Sequence, residues 1–178
     1  MKNILIIIGA VVLLLVGGVW WSNSLKSKQV AVEIDGIKQY TRTERDHVAG
    51  EVVYEENPPV GGKHAQVWAA CNGNVYKESI AEEQAVHSLE HGAVWITYQP
   101  SLTPDQVAAL EKKVRGYTLM SPLAEQGAPV ILTAWNNQLS LQSVDDPRVD
   151  QFLAKFRQGP QTPEPGATCN AVPGGMQG

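Results

Sequence analysis

The sequence predicts an α+β fold: an antiparallel sheet with two or three helices packed on it, preceded by an N-terminal transmembrane helix. Three observations predict this fold. An uncharged apolar run occupies residues 4–21, several short segments rich in β-forming residues follow it, and helical patterns with capping signals lie between some of them. Because strands and helices mix without regular βαβ alternation, the pattern favours an antiparallel sheet with the helices on one face.

The apolar run from Ile4 to Trp21 has the length of a membrane-spanning helix. About 18 residues of α-helix span about 27 Å, close to the thickness of a bilayer's hydrocarbon core. Lys2 precedes the run, and Trp20 and Trp21 close it where aromatic residues meet the membrane interface. The alternative is a cleaved signal peptide, but its apolar core is usually shorter, and residues 22–24 form a poor cleavage site. We therefore expect a single-pass anchor in the cell membrane, with the domain on the extracytoplasmic side.

Composition divides the chain into three parts. These are the anchor and its flanks at residues 1–28, an extracytoplasmic domain at 29–158 and a tail at 159–178. The tail is rich in proline, glycine and small polar residues and has little to bury. The chain carries 14 Lys and Arg residues against 18 Asp and Glu residues, so we expect no basic surface for nucleic acid.

The strands are predicted from runs of β-branched, aromatic and alternating apolar residues. Asn136 and Asn137 lie between the last two of these runs and suit a tight hairpin. In chain order, the predicted strands are residues 29–34, 51–54, 66–71, 93–98, 117–120, 130–135 and 138–141.

The helices are predicted from capping signals followed by apolar stripes. Ser79 and Glu82 form a capping box at the start of the first helix, and Gly92 is the residue after its end. Thr103-Pro104 opens a second helix that continues to about residue 115. Asp146-Pro147 opens a third helix, whose apolar side consists of Val149, Phe152, Leu153 and Phe156.

The chain has two cysteines, Cys71 and Cys169, which lie far apart in the sequence. An even number of cysteines in an exported chain suggests a disulfide bond, which here would join the tail to the domain. The alternative is two thiolate ligands for a metal ion. Their spacing resembles no C-x-x-C motif, so we expect the disulfide.

Two histidines four residues apart, His87 and His91, belong to the sequence H-S-L-E-H at the end of the first predicted helix. This spacing places both side chains on one face of a helix, with Cβ atoms about 5–6 Å apart. Imidazoles in this arrangement can bind one metal ion at about 2.0–2.1 Å. The alternative is a partly exposed pair at a helix end, which the helix dipole stabilises when the histidines are protonated.

A third histidine, His64, follows a loop of prolines and glycines at residues 57–63. Such a segment has a restricted shape and can present a side chain to a site. His64 would complete a three-histidine site with an open position. Met120, at the end of a predicted strand, offers a thioether that suits Cu(I), or a long axial bond to Cu(II). The alternative for this methionine is packing in the core.

The same motif has the H-x-x-E-H spacing of a zinc peptidase, in which Glu90 would act as the general base. A downstream carboxylate would then be the third ligand, and Glu164 is the formal candidate, although it lies between two prolines of the tail. A small zinc hydrolase is therefore an alternative function. Glu90 could instead accept a hydrogen bond from an imidazole or lie on the helix surface. A further alternative is a cell-envelope scaffold with structural histidines.

Several long segments resemble a single bacterial family. They are HVAGEVVYEENPPVGGKHAQVW, AVHSLEHGAVWITYQPSL and TAW. From about His47 to Cys169 the chain resembles the family known as domain of unknown function 3105. The resemblance implies a compact α+β domain in a membrane-anchored or secreted protein. It also implies copper binding through histidines, with a methionine involved, and it adds His47 to the three histidines found by spacing.

The residues and the resemblance together predict a membrane-anchored metal-binding protein rather than an enzyme. Its metal would be copper, with zinc as the alternative, and its role would be binding, transfer or sequestration. The expected ligands are His64, His87, His91 and Met120, and Glu90 and His47 are expected beside them. The expected partners are the membrane, through the N-terminal helix, and a protein that donates or accepts the metal. A homo-oligomer is left open.

Overall fold

A mixed sheet organises the part of the chain that the structure describes. The computed structural model describes residues 33–178, so the predicted anchor and nearly all of the first predicted strand lie outside the described residues. Within residues 33–178, no helix is both long and apolar enough to cross a membrane. Residues 34–178 form one compact unit. Its elements, in chain order, are β1 (Lys38–Gln39), β2 (Asn72–Val75), α1 (Glu82–Glu90), β3 (Val94–Tyr98), α2 (Pro104–Glu111), β4 (Thr118–Pro122), β5 (Val130–Ala134), β6 (Asn137–Leu141) and α3 (Arg148–Phe156).

Four of the six strands lie at predicted positions, which confirms those predictions. Strands β3 to β6 lie where the β-forming residues predict them, to within two residues at each end. The strands predicted at residues 51–54 and 66–71 are wrong, because backbone amides of these segments bond to α1 instead of to another strand. The Val52 amide donates to the Glu83 side chain, and the Ala69 amide donates to a carbonyl of the same helix.

The sheet is mixed rather than antiparallel, which corrects the predicted topology. Its strand order is β1-β6-β5-β3-β4-β2. Strands β2 and β3 both run parallel to β4, and the other neighbours are antiparallel. Helix α1 connects β2 to β3, and α2 connects β3 to β4, which supplies the long crossovers that parallel strands need. The local sequence hides this arrangement because β2, with the sequence NGNV, reads as a turn.

The helices lie on both faces of the sheet, not on one face as predicted. Leu89 of α1 packs in one hydrophobic cluster with Leu119 of β4. Leu110 of α2 and Phe152 of α3 pack in a second cluster that includes Met120 of β4. Because successive residues of a strand point to opposite faces, Leu119 and Met120 belong to different clusters.

The starts of the helices confirm one capping prediction and correct another. Thr103 caps α2: its side chain accepts a hydrogen bond from the Gln106 amide at 3.3 Å, and the Gln106 side chain accepts from the Thr103 amide at 2.9 Å. The capping box predicted at Ser79 is wrong. Helix α1 begins at Glu82 without a side-chain cap, and the Ser79 hydroxyl donates to the Pro122 carbonyl instead.

The C-terminal segment is fixed to the domain. A disulfide bond joins Cys71 to Cys169, as predicted, with the sulfur atoms 1.97 Å apart. Beside it, the Cys71 amide donates to the Cys169 carbonyl, and the Trp68 indole donates to the Asn170 carbonyl at 2.8 Å. The backbone amide of Glu164 donates to the carbonyl of the last residue of α1 at 3.0 Å. The tail therefore passes directly over the C-terminal end of α1.

Candidate metal centre

Two glycines shape the loop that carries His64. Gly61 and Gly62 have φ angles of 148° and 107°, a region that residues with side chains rarely adopt. The Gly62 carbonyl accepts a hydrogen bond from Nδ1 of His64 at 2.8 Å. His64 is fully buried, so the loop holds its imidazole in one orientation.

His47 reaches the same place through a short backbone pairing with His64. The Val48 amide donates to the His64 carbonyl at 2.8 Å, and the His64 amide donates to the Asp46 carbonyl at 3.1 Å. These bonds form an isolated parallel bridge between the two histidines. Their rings are in edge contact, with centroids 4.9 Å apart.

Helix α1 supplies two further side chains. His87 and Glu90 lie three residues apart near its C-terminal end and therefore project from the same face. Both are buried. Gly92, as predicted, is the residue that lets the chain leave the helix, with a φ angle of 90°.

The side chains of His47, His64, His87 and Glu90 form a metal-binding constellation, which we call the inner cluster. Each offers one ligand atom, and these atoms all lie within 4.8 Å of one another. The ring of His87 lies 4.8 Å from that of His47 and 4.9 Å from that of His64. Imidazole nitrogens and a carboxylate oxygen are common ligands of transition metals, so the inner cluster could hold a metal ion.

Backbone carbonyls fix the tautomers of two rings in the inner cluster. Nδ1 of His64 donates to the Gly62 carbonyl, and Nδ1 of His87 donates to the Ala65 carbonyl, both at 2.8 Å. A carbonyl oxygen can only accept, so each Nδ1 carries a proton. The Nε2 atom of each neutral ring then presents a lone pair to the cluster, which is how backbone carbonyls orient metal-binding histidines.

A close contact in the inner cluster joins Nε2 of His64 to a carboxylate oxygen of Glu90, 3.0 Å apart. Both atoms are acceptors when His64 is neutral, and this Nε2 is buried without a hydrogen-bond partner. Two buried acceptors this close are unfavourable unless a positive charge lies between them. A second proton on His64 or a bound metal ion would supply that charge.

Burial and charge set the protonation of the inner cluster. Burial, with the neighbouring histidines, lowers the pKa of His87 to about 4 although its bond to the Ala65 carbonyl acts in the opposite direction. Burial alone would raise the pKa of Glu90. Interaction with a protonated His64, together with the positive charges of His87 and Arg45, outweighs burial, so the pKa of Glu90 is lowered. A neutral imidazole and an ionised carboxylate are the forms that bind metal ions.

His91 lies beside the inner cluster and is not among its four converging side chains. Its ring stands nearly perpendicular to that of His87, with centroids 4.6 Å apart. Its Nδ1 donates to the Thr168 carbonyl at 2.7 Å, and its Nε2 faces a carboxylate oxygen of Glu164 at 3.8 Å. Burial is the main cause of a lowered pKa for His91. The structure thus brings His91 next to the expected site, while His47 and Glu90 take the converging positions.

Met120 is not brought to the inner cluster. Its side chain is fully buried in the hydrophobic cluster that contains Ile96 and Leu132. Leu119, one residue earlier, is the one that packs on the α1 side of the sheet. The alternation of side chains along β4 therefore turns Met120 away from the histidines and into the core.

A surface pocket of about 420 Å³ reaches the inner cluster. It is lined by His47, Glu90, Glu164 and residues 43–46. Its carboxylates outnumber its single cationic side chain, Arg45, so its charge attracts cations. His47 is the most exposed member of the inner cluster, at 45 % for its side chain, and it provides the contact with solvent.

The family model described as Protein of unknown function (DUF3105) matches residues 47–171, more than two-thirds of the 178-residue chain. The chain belongs to this family. The matched range begins at His47 and includes the whole inner cluster, His91 and both cysteines. No curated protein and no solved structure shows a significant match to the chain.

The geometry of this DUF3105 domain explains which site residues the sequence could identify. The spacing of His87 and Glu90 on one helix, and the loop before His64, are local signals. The position of His47 depends on a bridge to His64, seventeen residues later in the sequence, which no periodicity predicts. The family resemblance was the one signal that pointed to His47.

Proposed function

We propose that this DUF3105 protein binds a divalent transition metal ion, copper, through His47, His64, His87 and Glu90. The main support for this proposal is the buried contact between Nε2 of His64 and the Glu90 carboxylate. These atoms lie 3.0 Å apart, and Nε2 has no hydrogen-bond partner. A metal ion between these groups removes the repulsion and uses both as ligands. The two other histidines complete a set of three imidazoles and one carboxylate.

This set of donors favours Cu²⁺ or Zn²⁺ over Cu⁺. Imidazole binds copper and zinc well, whereas Cu⁺ prefers soft sulfur ligands. Met120, the sulfur ligand expected from the sequence, packs in the core instead. For one set of ligands Cu²⁺ generally binds more tightly than Zn²⁺, which supports copper as the metal.

We propose a role in binding, transfer or sequestration on the extracytoplasmic side of the membrane. The disulfide between Cys71 and Cys169 is consistent with an oxidising compartment. The acidic pocket at His47 gives an ion a route between the inner cluster and solvent or a donor protein. Anchoring by residues 4–21 would keep this route near the membrane surface.

The contacts of Glu90 favour a metal carrier over a zinc hydrolase. A general base must be free to take a proton from a metal-bound water. One carboxylate oxygen of Glu90 instead lies 3.0 Å from Nε2 of His64 and 3.9 Å from Nε2 of His47. This position supports a role for Glu90 as a ligand among the histidines.

Metal analysis of the full-length protein, purified without a histidine tag, tests this proposal. We expect one equivalent of Cu²⁺ to bind, and Zn²⁺ to bind more weakly in competition with a chelator. His87→Asn should reduce the affinity strongly, although its amide can keep the hydrogen bond to the Ala65 carbonyl. A wild-type protein that binds neither ion above the background of its denatured form would refute the proposed function.

A further inference from the structure

His91 has the features of a metal ligand but lies outside the inner cluster. It is buried, and its Nδ1 donates to the Thr168 carbonyl at 2.7 Å. Because that carbonyl can only accept, Nε2 of the neutral ring carries a lone pair. This Nε2 points toward the carboxylate of Glu164, 3.8 Å away, a separation too long for a hydrogen bond.

The His91–Glu164 pair lies between the inner cluster and solvent. The ring of His91 is 4.6 Å from that of His87. The Glu164 side chain is half-exposed and lines the surface pocket together with His47 and Glu90. A backbone hydrogen bond of 3.0 Å from Glu164 to the Glu90 carbonyl holds the two carboxylate-bearing residues side by side.

We propose that His91 and Glu164 form an outer metal position, through which Cu²⁺ passes between the inner cluster and solvent or a partner protein. This inference rests on the proposed function of the inner cluster. One imidazole and one carboxylate bind Cu²⁺ with two protein ligands and leave the other positions to water or to ligands of the partner. The ion keeps its charge throughout, because the imidazole enters as a neutral ligand and the carboxylate as an anion.

The arrangement is suited to stepwise ligand exchange. An ion held by four protein ligands leaves slowly if all of its bonds must break before a new one forms. His91 lies next to His87, so it can accept the ion as His87 releases it. Glu164 lies beside Glu90 at the pocket and can act in the same way for the carboxylate. The outer position therefore lowers the barrier in both directions.

The kinetics of Cu²⁺ exchange test the outer position. The full-length protein is mixed with Cu²⁺ in a stopped-flow instrument, and quenching of tryptophan fluorescence reports capture. Trp68, whose ring lies 4.7 Å from His91 and 5.4 Å from His87, is the expected reporter. Mixing the loaded protein with excess chelator reports release. We expect His91→Asn and Glu164→Gln each to slow capture and release by about tenfold.

A matched variant separates ligand exchange from simple attraction of the ion. Glu44→Gln removes one negative charge from the same pocket but not from the outer position. If the pocket only attracts cations, Glu44→Gln and Glu164→Gln should slow capture equally, and neither should slow release. Under the proposal, Glu164→Gln slows both rates, whereas Glu44→Gln affects capture alone and only slightly.

The outcomes distinguish failure of the outer position from failure of the proposed function. If the wild-type protein binds no Cu²⁺, the proposed function fails. If it binds Cu²⁺ but His91→Asn exchanges at the wild-type rate, the outer position alone is refuted. A loss of affinity in His91→Asn as large as in His87→Asn would also refute it, because His91 would then be an inner ligand. Circular dichroism of each variant establishes that it is folded.

Discussion

The buried carboxylate of Glu90 needs a positive charge beside it. Its carboxylate lies 3.0 Å from Nε2 of His64, an atom that carries a lone pair when the ring is neutral. Arg45, the nearest cationic side chain to the same carboxylate, is 4.0 Å away and half-exposed, so it compensates only weakly. Keeping Glu90 in this arrangement costs stability unless a second proton on His64 or a bound ion supplies a positive charge, which links function and stability at a single side chain.

Glu90→Gln should therefore separate metal affinity from stability. Loss of a residue that only orients the ligands typically lowers metal affinity by about 10–100-fold. Because Glu90 is proposed as a ligand itself, we expect Cu²⁺ affinity to fall by more than this. With His64 neutral, the metal-free variant should be at least as stable as the wild type, because the glutamine amide can donate to Nε2 of His64 and contribute about 1 kcal/mol. Competition with a chelator measures the affinity, and thermal unfolding without metal measures the stability.

Glu82→Gln is the matched control for this prediction. It removes the same charge from the first turn of the same helix, away from the inner cluster. We expect it to bind Cu²⁺ like the wild type. A Glu90→Gln protein with wild-type affinity would show that the carboxylate is not a ligand.

His87 should make the metal-free protein sensitive to acid. Its pKa is lowered to about 4 in the folded protein, whereas an unfolded histidine titrates near 6.5. Between these values the unfolded chain binds a proton that the folded protein does not. Stability therefore falls as the pH falls from about 6.5 to about 4, and the contribution is fully present above that window. For this buried side chain the shift corresponds to roughly 3 kcal/mol.

The measurement is the free energy of unfolding in urea, in the absence of metal, at several pH values between 4 and 8. Carboxylates titrate in the same window, so the informative quantity is the difference between wild type and His87→Asn. We expect the wild type to lose more stability on acidification. Parallel curves for the two proteins would contradict the lowered pKa of His87.

The C-terminal end of α1 determines where the site lies. Glu90 is the last residue of the helix, His91 caps it, and Gly92 turns the chain toward β3. The chain after α3 approaches this turn so closely that a Cβ atom added to Gly92 would collide with the side chains of Gln158 and Thr162. A small residue with a positive φ angle is thus required by both the helix and the tail.

Gly92→Ala should destabilise the protein by about 2 kcal/mol or more. An alanine at a φ angle of 90° is strained, and the collision with the tail adds to the cost. Gly127→Ala is the control, because Gly127 is exposed and an added Cβ meets no atom within 4 Å. We expect the control to change the free energy of unfolding by less than about 0.5 kcal/mol. Equal effects of the two substitutions in urea denaturation would argue against the close approach of the tail.

The elements that the sequence predicted well are those whose local pattern matches their environment. Strands β3 and β5 are rich in β-forming residues and are buried along their whole length. The local sequence does not predict the two edge strands, because β1 has only two residues and β2 contains Asn-Gly. With β2 unseen, the parallel crossover through α1 could not be inferred.

Met120 can be predicted as a ligand for a related reason: the sequence does not show which side chains of β4 face α1. Residues 118–121 of β4 are all buried, so no alternation of polar and apolar residues shows which side chains face α1. A shift of one residue exchanges the faces of a strand. Met120 and Leu119 therefore could not be assigned to a face from the sequence, and only the structure distinguishes the core methionine from a ligand.

The disulfide closes a loop that includes most of the matched domain. The cysteines are separated by 98 positions. The loop between them contains all three helices and the five strands β2 to β6. Thr168, whose carbonyl fixes His91, is the neighbour of Cys169. The bond therefore constrains the unfolded chain and also holds the outer side of the site.

Replacing both cysteines by alanine should lower the free energy of unfolding by about 4 kcal/mol in the chain-entropy model. Cys71→Ala and Cys169→Ala alone should each cost nearly as much as the double replacement, because either change breaks the same bond. Urea denaturation under oxidising conditions measures all three variants. Additive effects of the single replacements, or two free thiols in the oxidised wild-type protein, would contradict the bond.

The short edge strands have a consequence for how copies of this domain meet. An exposed sheet edge invites pairing with another chain, and long flat edges are the starting points of aggregation. Here β1 offers two residues, and β2 is irregular at Asn72 and Asn74, whose side chains bond to Asn170 and Gln177 of the tail. Both edges of the sheet in the described domain are therefore poor templates for pairing with a strand of another chain. Within residues 33–178, the two sheet edges therefore disfavour a sheet that continues from one copy into the next.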